Sequence, residues 1–265
     1  MYSKFQLAKK FLQYYFTSSN GKGHGVHSPF VYDFIIHVLN DKKNHPAYDA
    51  IEATRNKLKQ DEAILTIEDF GAGSRVDSHK KRKVSSIAKT ALKPNKFGQL
   101  LYRIVKYYQP KNILELGTSL GITTSYLASA KEDARVITME GAAEVAAVAK
   151  KNFESLGLKN VHLVLGNFDD TLGATINQLP SIDLVFIDGN HRKEPTLQYF
   201  EQLLNHINDN SILIFDDIHW SKEMEAAWDA IKENSTVTLT IDLFFIGLVF
   251  FRKENKVKQD FFVWF

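Results

Sequence analysis

Three carboxylates follow two apolar segments in the second half of the sequence. Asp188 comes directly after residues 183–187, and Asp216 with Asp217 comes directly after residues 211–215. If both segments are parallel strands, their carboxyl ends meet at one edge of a sheet and these side chains converge. Carboxylate oxygens are the ligands that Mg²⁺ prefers in proteins. We therefore predict a metal site at Asp188, Asp216 and Asp217; the alternative is that these residues only shape loops or cap helices.

His191 lies three residues after Asp188. An imidazole has an unperturbed pKa of about 6.5, so it accepts a proton near neutral pH once a metal has acidified the acceptor hydroxyl. We predict that His191 is the general base and that Asp188 takes part in catalysis with it. In the alternative interpretation, His191 only forms a hydrogen bond with a backbone group of its loop.

A turn that contains two glycines follows an earlier apolar segment, and a helical pattern begins near Thr123. The turn reads Glu115-Leu116-Gly117-Thr118-Ser119-Leu120-Gly121. Glycine lets a backbone turn tightly and approach a ligand where a Cβ atom would collide. The turn is not a dinucleotide fingerprint, because Ser119 replaces the second glycine, and it is not a P-loop, because no Gly-Lys-Ser/Thr follows. We predict a ligand site at the carboxyl end of this strand.

Two further positions favour a nucleoside at this site. Glu140 lies 23 residues after Gly117, where an acidic residue binds ribose hydroxyls in nucleotide-binding βαβ units. Asn167 and Phe168 follow the next strand and offer an amide for the edge of a purine and a ring for its face. Alternatively, Glu140 is a solvated carboxylate and the other two belong to an ordinary loop.

The elements that must position these residues alternate between strands and helices from Asn112 onward. This pattern is typical of βαβ units and a parallel sheet. Five short apolar strands are predicted at 112–116, 135–139, 161–165, 183–187 and 211–215, and two more at 236–243 and 245–252. Helices are predicted at 123–130, 143–156, 172–178, 196–208 and 222–233. The predicted fold class is α/β, with a seven-stranded, mostly parallel sheet and an antiparallel C-terminal hairpin at its edge.

The first 110 residues have helical spacing instead. Helices are predicted at 5–16, 29–39, 46–60 and 97–108, with Pro29 and Pro46 suited to first turns. We predict two domains, a helical N-terminal extension or lid over residues 1–89 and a sheet domain over residues 90–265.

These motifs in this order resemble class I S-adenosylmethionine-dependent methyltransferases, in particular the branch that contains catechol O-methyltransferase. The resemblance covers about residues 90–252 and includes a helix that ends at Pro110 before the first strand. It implies a Rossmann-like fold, with S-adenosylmethionine held by Glu115 at its amine, by Gly117, Thr118, Ser119 and Thr123 at its carboxylate, by Glu140 at its ribose and by Asn167 and Phe168 at its adenine. We also include Gly121, Gly141 and Asp188 among the predicted cofactor-binding residues.

The same resemblance implies a metal held by two aspartates and an asparagine, at the positions of Asp188, Asp216 and Asp217. This chain departs from the pattern at Asp217, where an asparagine is expected, and at His191, where the branch has a lysine base. The implied function is O-methylation of a small hydroxylated acceptor, assisted by Mg²⁺. A non-catalytic protein that binds S-adenosylmethionine is an alternative.

Charge is distributed unevenly between the two parts of the chain. Residues 1–110 contain 19 Lys/Arg against 9 Asp/Glu, a net charge of +10, and the remainder carries −8. Such an asymmetry indicates either an extension that docks on its own core or a basic surface for an anionic partner. The basic cluster 80–83 makes an RNA methyltransferase, acting on tRNA, a second alternative.

Composition restricts the remaining function classes. The chain is 44% hydrophobic and 24% charged, as globular proteins are. It has no cysteine, which excludes disulfides and thiolate catalysis. The longest apolar run, 243–251, is about half of the roughly 20 residues that cross a bilayer, so we predict no membrane span and a cytoplasmic location. The C-terminal aromatic residues favour either a homodimer contact or packing on the core.

Overall fold

The computed structural model describes residues 1–18, 21, 23, 26–67 and 81–265. Its helices are α1 (Lys4–Thr17), α2 (Pro29–Phe34), α3 (Pro46–Leu58), α4 (Val84–Thr90), α5 (Asn95–Tyr108), α6 (Ile122–Ala130), α7 (Ala143–Ser155), α8 (Phe168–Ile176), α9 (Lys193–Leu204) and α10 (Lys222–Glu233). Its strands are β1 (Ile64–Thr66), β2 (Lys81–Lys83), β3 (Asn112–Leu116), β4 (Arg135–Glu140), β5 (Val161–Leu165), β6 (Ile182–Ile187), β7 (Ile207–Asp216), β8 (Leu239–Asp242), β9 (Ile246–Phe250) and β10 (Gln259–Phe262). A π-helical turn, Ile35–Leu39, continues α2.

The chain forms two compact units. The terminal unit combines Met1–Asp41 with Ile176–Phe265, and the middle unit is Lys42–Thr175. None of the described helices has the length and apolar character that a bilayer crossing requires.

The middle unit contains a parallel three-stranded segment in the order β3, β4, β5. Apolar residues of β3 and β4 are almost completely buried, among them Ile113, Leu114 and Met139. Such strands read as continuous apolar runs because helices cover both faces. The antiparallel pair β1 and β2 also belongs to this unit.

The terminal unit contains five strands in the order β10, β8, β9, β7, β6. The pairs β6 with β7 and β8 with β10 are parallel, whereas β9 is antiparallel to both β7 and β8. Helix α1 belongs to this unit and begins with a capping box, in which Ser3 and Gln6 each bind the other's backbone amide.

The α/β class and the predicted order of strands and helices are confirmed, with differences at the ends of elements. Helix α8 begins at Phe168 and not at Leu172, and β7 begins at Ile207, four residues before the predicted start. The predicted antiparallel hairpin exists as β8 and β9, but the prediction that it forms the sheet edge is wrong. Strand β10 pairs with β8 on the outer side and is an eighth strand beyond the seven predicted.

The short elements α4, β1 and β2 were also not predicted. The predicted domain boundary between residues 89 and 90 coincides with neither division between the compact units, at 41/42 and 175/176. That boundary stays a prediction.

Candidate active site

The glycine turn between β3 and α6 has a backbone that few residues other than glycine adopt. Gly117 has φ +107°, Ser119 has φ +47° and Gly121 has φ +80°. The amides of Gly117 and Thr118 both donate to the carbonyl of Met139, each at 3.0 Å. A non-glycine residue with positive φ is uncommon and is typical of functional turns, as Ser119 is here.

Gly121 is fixed by packing as well as by conformation. A Cβ atom at this position would lie 2.6 Å from Cε1 of Phe153 in α7, closer than real Cβ contacts. The next residue begins α6, and Thr123 is half-buried in its first turn. The glycine therefore permits both the turn and the close approach of α7 to it.

Glu115 is fully buried one residue before the end of β3. Its carboxylate accepts hydrogen bonds from the hydroxyls of Thr124 and Thr138, the second at 2.6 Å. The Thr138 hydroxyl also lies 2.6 Å from that of Thr118. A buried carboxylate needs such partners to offset its desolvation, so the two threonines keep Glu115 beside the turn.

Glu140 connects three loops of the middle unit. Its carboxylate accepts hydrogen bonds from the amides of Ser119 at 2.8 Å and Ala142 at 3.0 Å. Its backbone carbonyl accepts from the amide of Gly166 at 2.9 Å. The structure thus brings Glu140 against the glycine turn and next to Gly141, which is half-buried.

Asn167 and Phe168 follow Gly166 at the start of α8. The carbonyl of Asn167 accepts from the amide of Thr171 at 3.0 Å, and its side-chain oxygen accepts from that of Asp169 at 3.3 Å. This is the bonding of a residue that begins a helix. Phe168 is half-buried. The predicted cofactor residues of the middle unit therefore lie on the three loops that Glu140 connects or in the elements next to those loops.

An acidic group lies at the carboxyl ends of β6 and β7 in the terminal unit. One ligand atom from each of Asp188, His191 and Asp216 lies within 4.8 Å of the other two. Asp216 is buried, and Nε2 of His191 lies 3.3 Å from Oδ1 of Asp188. This spacing suits either a metal ion or a histidine oriented by a carboxylate.

The loop that carries His191 has an uncommon backbone. Asn190 and His191 have φ values of +66° and +35°, and the amide of His191 donates to the carbonyl of Gly189 at 2.9 Å. The Asn190 side chain holds this conformation, because it donates to the Tyr199 hydroxyl at 3.0 Å and accepts from Arg192 at 2.9 Å. Strain that the surroundings maintain is typical of active sites.

Asp217 lies outside the group formed by Asp188, His191 and Asp216. Its φ is +53°, its amide donates to the carbonyl of Phe245 at 2.8 Å, and its carbonyl accepts from the amide of Trp220 at 2.9 Å. In the described part of the chain, the third member of the group is His191. The predicted set of three aspartates stays a prediction.

Asp217 instead lines a narrow pocket of the terminal unit. The other lining residues are Leu7, His219, Trp220, Phe244 and Phe245. Four of these six side chains are aromatic, and Leu7 comes from α1.

His219 is the centre of a polar cluster that the sequence did not reveal. Its Nε2 lies 2.8 Å from Oδ2 of Asp242, and its Nδ1 lies 3.2 Å from Oε1 of Glu225. Burial disfavours its charged form, but hydrogen bonds and charges from Asp242 and Glu225 outweigh burial and raise the pKa of His219. Glu225 also accepts from Tyr2 and Lys10 at the start of the chain. Local spacing carries no signal for partners more than 200 residues apart.

Two residues of the basic cluster have partners within the chain. Lys83 pairs with Glu62 at 2.5 Å, and Arg82 donates to Thr90 at 2.8 Å, while Lys80 lies outside the described residues. The structure adds nothing in favour of RNA binding or of a homodimer, and both stay predictions.

Part of the chain that contains these candidate site residues is similar to known methyltransferases. Residues 114–218 match the family model described as a methyltransferase domain. The chain is 33% identical over 131 residues to Catechol O-methyltransferase of Niastella koreensis, covering 48% of this chain and 58% of that protein. It is 36% identical over 95 residues to Transmembrane O-methyltransferase of Homo sapiens, covering 34% of this chain and 33% of that protein. The chain thus spans less than two thirds of either relative.

Solved structures share the fold at low sequence identity. The SAH-bound methyltransferase PaMTH1 of Podospora anserina is 14% identical, with a TM-score of 0.60, covering 96% of this chain and 98% of that one. The Bacillus cereus O-methyltransferase in complex with SAH is 19% identical, with a TM-score of 0.55, covering 81% and 95%. Residues 114–218 are therefore similar to a methyltransferase domain, and the solved structures share the fold of the chain. The resemblance of the chain to the catechol O-methyltransferase-like branch of class I methyltransferases is confirmed.

Proposed function

We propose that the protein is an S-adenosylmethionine-dependent O-methyltransferase that acts on a small hydroxylated acceptor. The observation that carries the proposal is the histidine and carboxylate group Asp188, His191 and Asp216 in a chain with a methyltransferase domain. Relatives named as O-methyltransferases and solved structures described as bound to SAH or SAM support it. A cytoplasmic location remains a prediction from the sequence.

The residues of the middle unit fit the cofactor. A turn with positive φ at Gly117, Ser119 and Gly121 leaves backbone accessible to a ligand, and Glu140 lies against it. S-adenosylmethionine supplies an electrophilic methyl group on a sulfonium when it is bound. We assign its binding to Glu115, Gly117, Thr118, Ser119, Gly121, Thr123, Glu140, Gly141, Asn167 and Phe168. The cofactor role of Asp188 stays a prediction.

His191 and Asp188 act on the acceptor. The acceptor hydroxyl oxygen forms a bond to the methyl carbon, the bond from that carbon to sulfur breaks, and the hydroxyl proton passes to the His191 ring. Asp188, 3.3 Å from that ring, orients it and stabilises the imidazolium. Most of the acceleration then comes from positioning and from electrostatic stabilisation.

A divalent cation is a second part of the proposal. One carboxylate oxygen of Asp188 and one of Asp216 lie within 4.8 Å of each other, and carboxylate oxygens are the ligands that Mg²⁺ prefers. Such an ion would lower the pKa of the acceptor hydroxyl. A metal bound to His191 would occupy the nitrogen that accepts the proton, so the base role requires the ion to be held by the carboxylates.

The first experiment measures SAH formation from S-adenosylmethionine and catechol, with EDTA or with added Mg²⁺. We expect activity in the wild type, stimulation by Mg²⁺ and loss of that stimulation in Asp188→Ala. His191→Gln should lower kcat by about 100-fold or more, as removal of a general base does. His162→Gln, an exposed position on β5, is the matched control and should leave kcat unchanged. Wild-type kcat in His191→Gln would contradict the assigned base.

A further inference from the structure

The pocket lined by Asp217 begins one residue after the buried carboxylate of Asp216. Its walls are Leu7, His219, Trp220, Phe244 and Phe245, and its space is about that of one water molecule. The aromatic residues of this lining favour a flat apolar ligand, because aromatic groups pack edge to face or offset. An aromatic ring is larger than this space, so such a ligand enters only when one wall of the pocket moves aside.

Two aromatic walls are fixed by the sheet. Phe244 is buried, has φ +68°, and its amide donates to the Asp242 carboxylate at 2.8 Å. The carbonyl of Phe245 accepts from the amide of Asp217 at 2.8 Å. These two residues connect β8 to β9, so moving them requires breaking the hairpin.

The wall formed by Leu7 belongs to a helix and not to the hairpin. It belongs to α1, whose opposite side faces solvent, with Phe5 82% and Phe16 80% exposed. The helix rests on the hairpin through the ring of Phe11, 5.1 Å from that of Phe244 in an edge-to-face arrangement. Side-chain contacts fasten α1, among them hydrogen bonds from the buried Tyr14 hydroxyl to the carbonyls of Asp242 and Val263, so this wall can withdraw when those contacts break.

Polar contacts with the loop after β7 and with α10 keep α1 in place. The amide of Tyr2 donates to the carbonyl of Trp220 at 3.1 Å. The carboxylate of Glu225 accepts from the Tyr2 hydroxyl at 2.5 Å and from Lys10 at 3.0 Å. The same carboxylate binds His219, so the fastening of α1 and one wall of the pocket share a residue.

We propose that α1 is the lid of the acceptor pocket and that Leu7 determines which acceptors enter it, favouring a flat single-ring phenol over larger ring systems. Glu225 is a positioning residue that holds the lid. The proposal rests on the proposed methyltransferase function, because it assigns the acceptor side of that reaction.

The test compares kcat/KM for catechol with kcat/KM for dihydroxynaphthalene that carries adjacent hydroxyls. Shortening Leu7 to Ala widens the pocket, so the ratio of the larger to the smaller acceptor should rise about tenfold. Leu7→Phe narrows the pocket and should lower the same ratio. Leu12→Ala makes the same change on the exposed side of α1, where the side chain is 56% exposed, and should leave the ratio unchanged. Circular dichroism melting confirms that each variant is folded.

The outcomes separate this inference from the function on which it rests. An unchanged ratio in both Leu7 variants, with an active wild type, overturns the lid and leaves the methyltransferase proposal standing. If the wild type binds SAH but methylates neither compound, calorimetry with SAH-saturated protein measures the dissociation constants of catechol and of the dihydroxynaphthalene. The affinity for the larger compound relative to the smaller one should then rise in Leu7→Ala and fall in Leu7→Phe. Failure of the wild type to bind S-adenosylmethionine or SAH overturns both.

Discussion

Glu140 contacts all three loops of the candidate cofactor site. It binds the amides of Ser119 and Ala142, and its carbonyl binds Gly166, so one residue sets the spacing of three loops. A carboxylate that accepts hydrogen bonds from two backbone amides forms strong, charge-assisted interactions. The residue that we assign to the ribose therefore also organises the turn that we assign to the methionine end.

Gly121 provides a test of that turn at the scale of one residue. Gly121→Ala adds a Cβ atom 2.6 Å from the Phe153 ring at a φ of +80°, so we expect a loss of about 2 to 4 kcal/mol in the free energy of unfolding. Gly157→Ala is the matched control, since Gly157 has φ +69° and its Cβ would meet no atom within 4 Å. It should lose only about 1 kcal/mol, from backbone strain. Equal losses in urea denaturation would contradict the packing role of Phe153.

At the residue scale, the sequence predicted what local spacing can encode. The turn from Gly117 to Gly121 and the distance to Glu140 follow from the length of one βα unit, and the structure brings them together. The cluster of His219 with Asp242 and Glu225 was missed, because its members come from separate elements whose side chains meet only after the chain folds. His191 was predicted as a base, but its proximity to Asp216 was not readable from the sequence.

The attachment of helix α1 through Glu225 should depend on pH. Burial raises the pKa of Glu225, but hydrogen bonds from Lys10, Tyr2 and His219 outweigh burial and lower it below 4.5. Because the folded-state pKa is depressed, the stabilisation by ionised Glu225 is complete above about pH 4.5 and is lost as the pH falls through the folded-state pKa.

Glu225→Gln should therefore destabilise the protein by about 2 kcal/mol at pH 7, since it removes charge-assisted hydrogen bonds. The difference from wild type should shrink as the pH falls below 4.5. Asp229→Asn, on the same helix but 70% exposed, is the control and should change stability little at any pH. Thermal melting across the pH range measures both variants. A Glu225→Gln deficit that stays constant down to acidic pH would argue against this ionic fastening.

Among the elements, periodic segments were predicted well and short ones were not. The long helices α5 and α10 follow clear 3.6-residue patterns, and β3 to β6 are short, mostly apolar segments. Strand β10 has only four residues with alternating exposure, and its identity as a strand depends on pairing with β8. Helix α8 begins earlier than predicted, and its first turn contains the acidic pair Asp169 and Asp170, which is typical of a loop. Asn167 stabilises this turn, because its backbone carbonyl and its side-chain oxygen accept hydrogen bonds from amides within it.

On the scale of the whole molecule, the charge asymmetry of the sequence has a structural counterpart in the terminal unit. Lys10, from the basic first part of the chain, pairs with Glu225, from the acidic second part, at 2.9 Å. This contact favours the interpretation in which the extension docks on its own core. The division into a terminal and a middle unit could not be predicted, because the terminal unit joins residues 1–41 to residues 176–265, and local sequence patterns carry no signal for partners so far apart.

Calorimetric titration with S-adenosylmethionine and SAH measures whether the glycine turn and Glu140 bind the cofactor. The wild type should bind both ligands saturably. Glu140→Ala should weaken that binding by about 10- to 100-fold, as expected when a hydrogen-bonded charge is removed. Glu144→Ala is the control: Glu144 accepts from the amide of Thr66 in the same unit, and its loss should leave the affinity unchanged. No heat of binding with either ligand, or equal affinity in Glu140→Ala and wild type, would show that the glycine turn and Glu140 do not bind the cofactor as proposed.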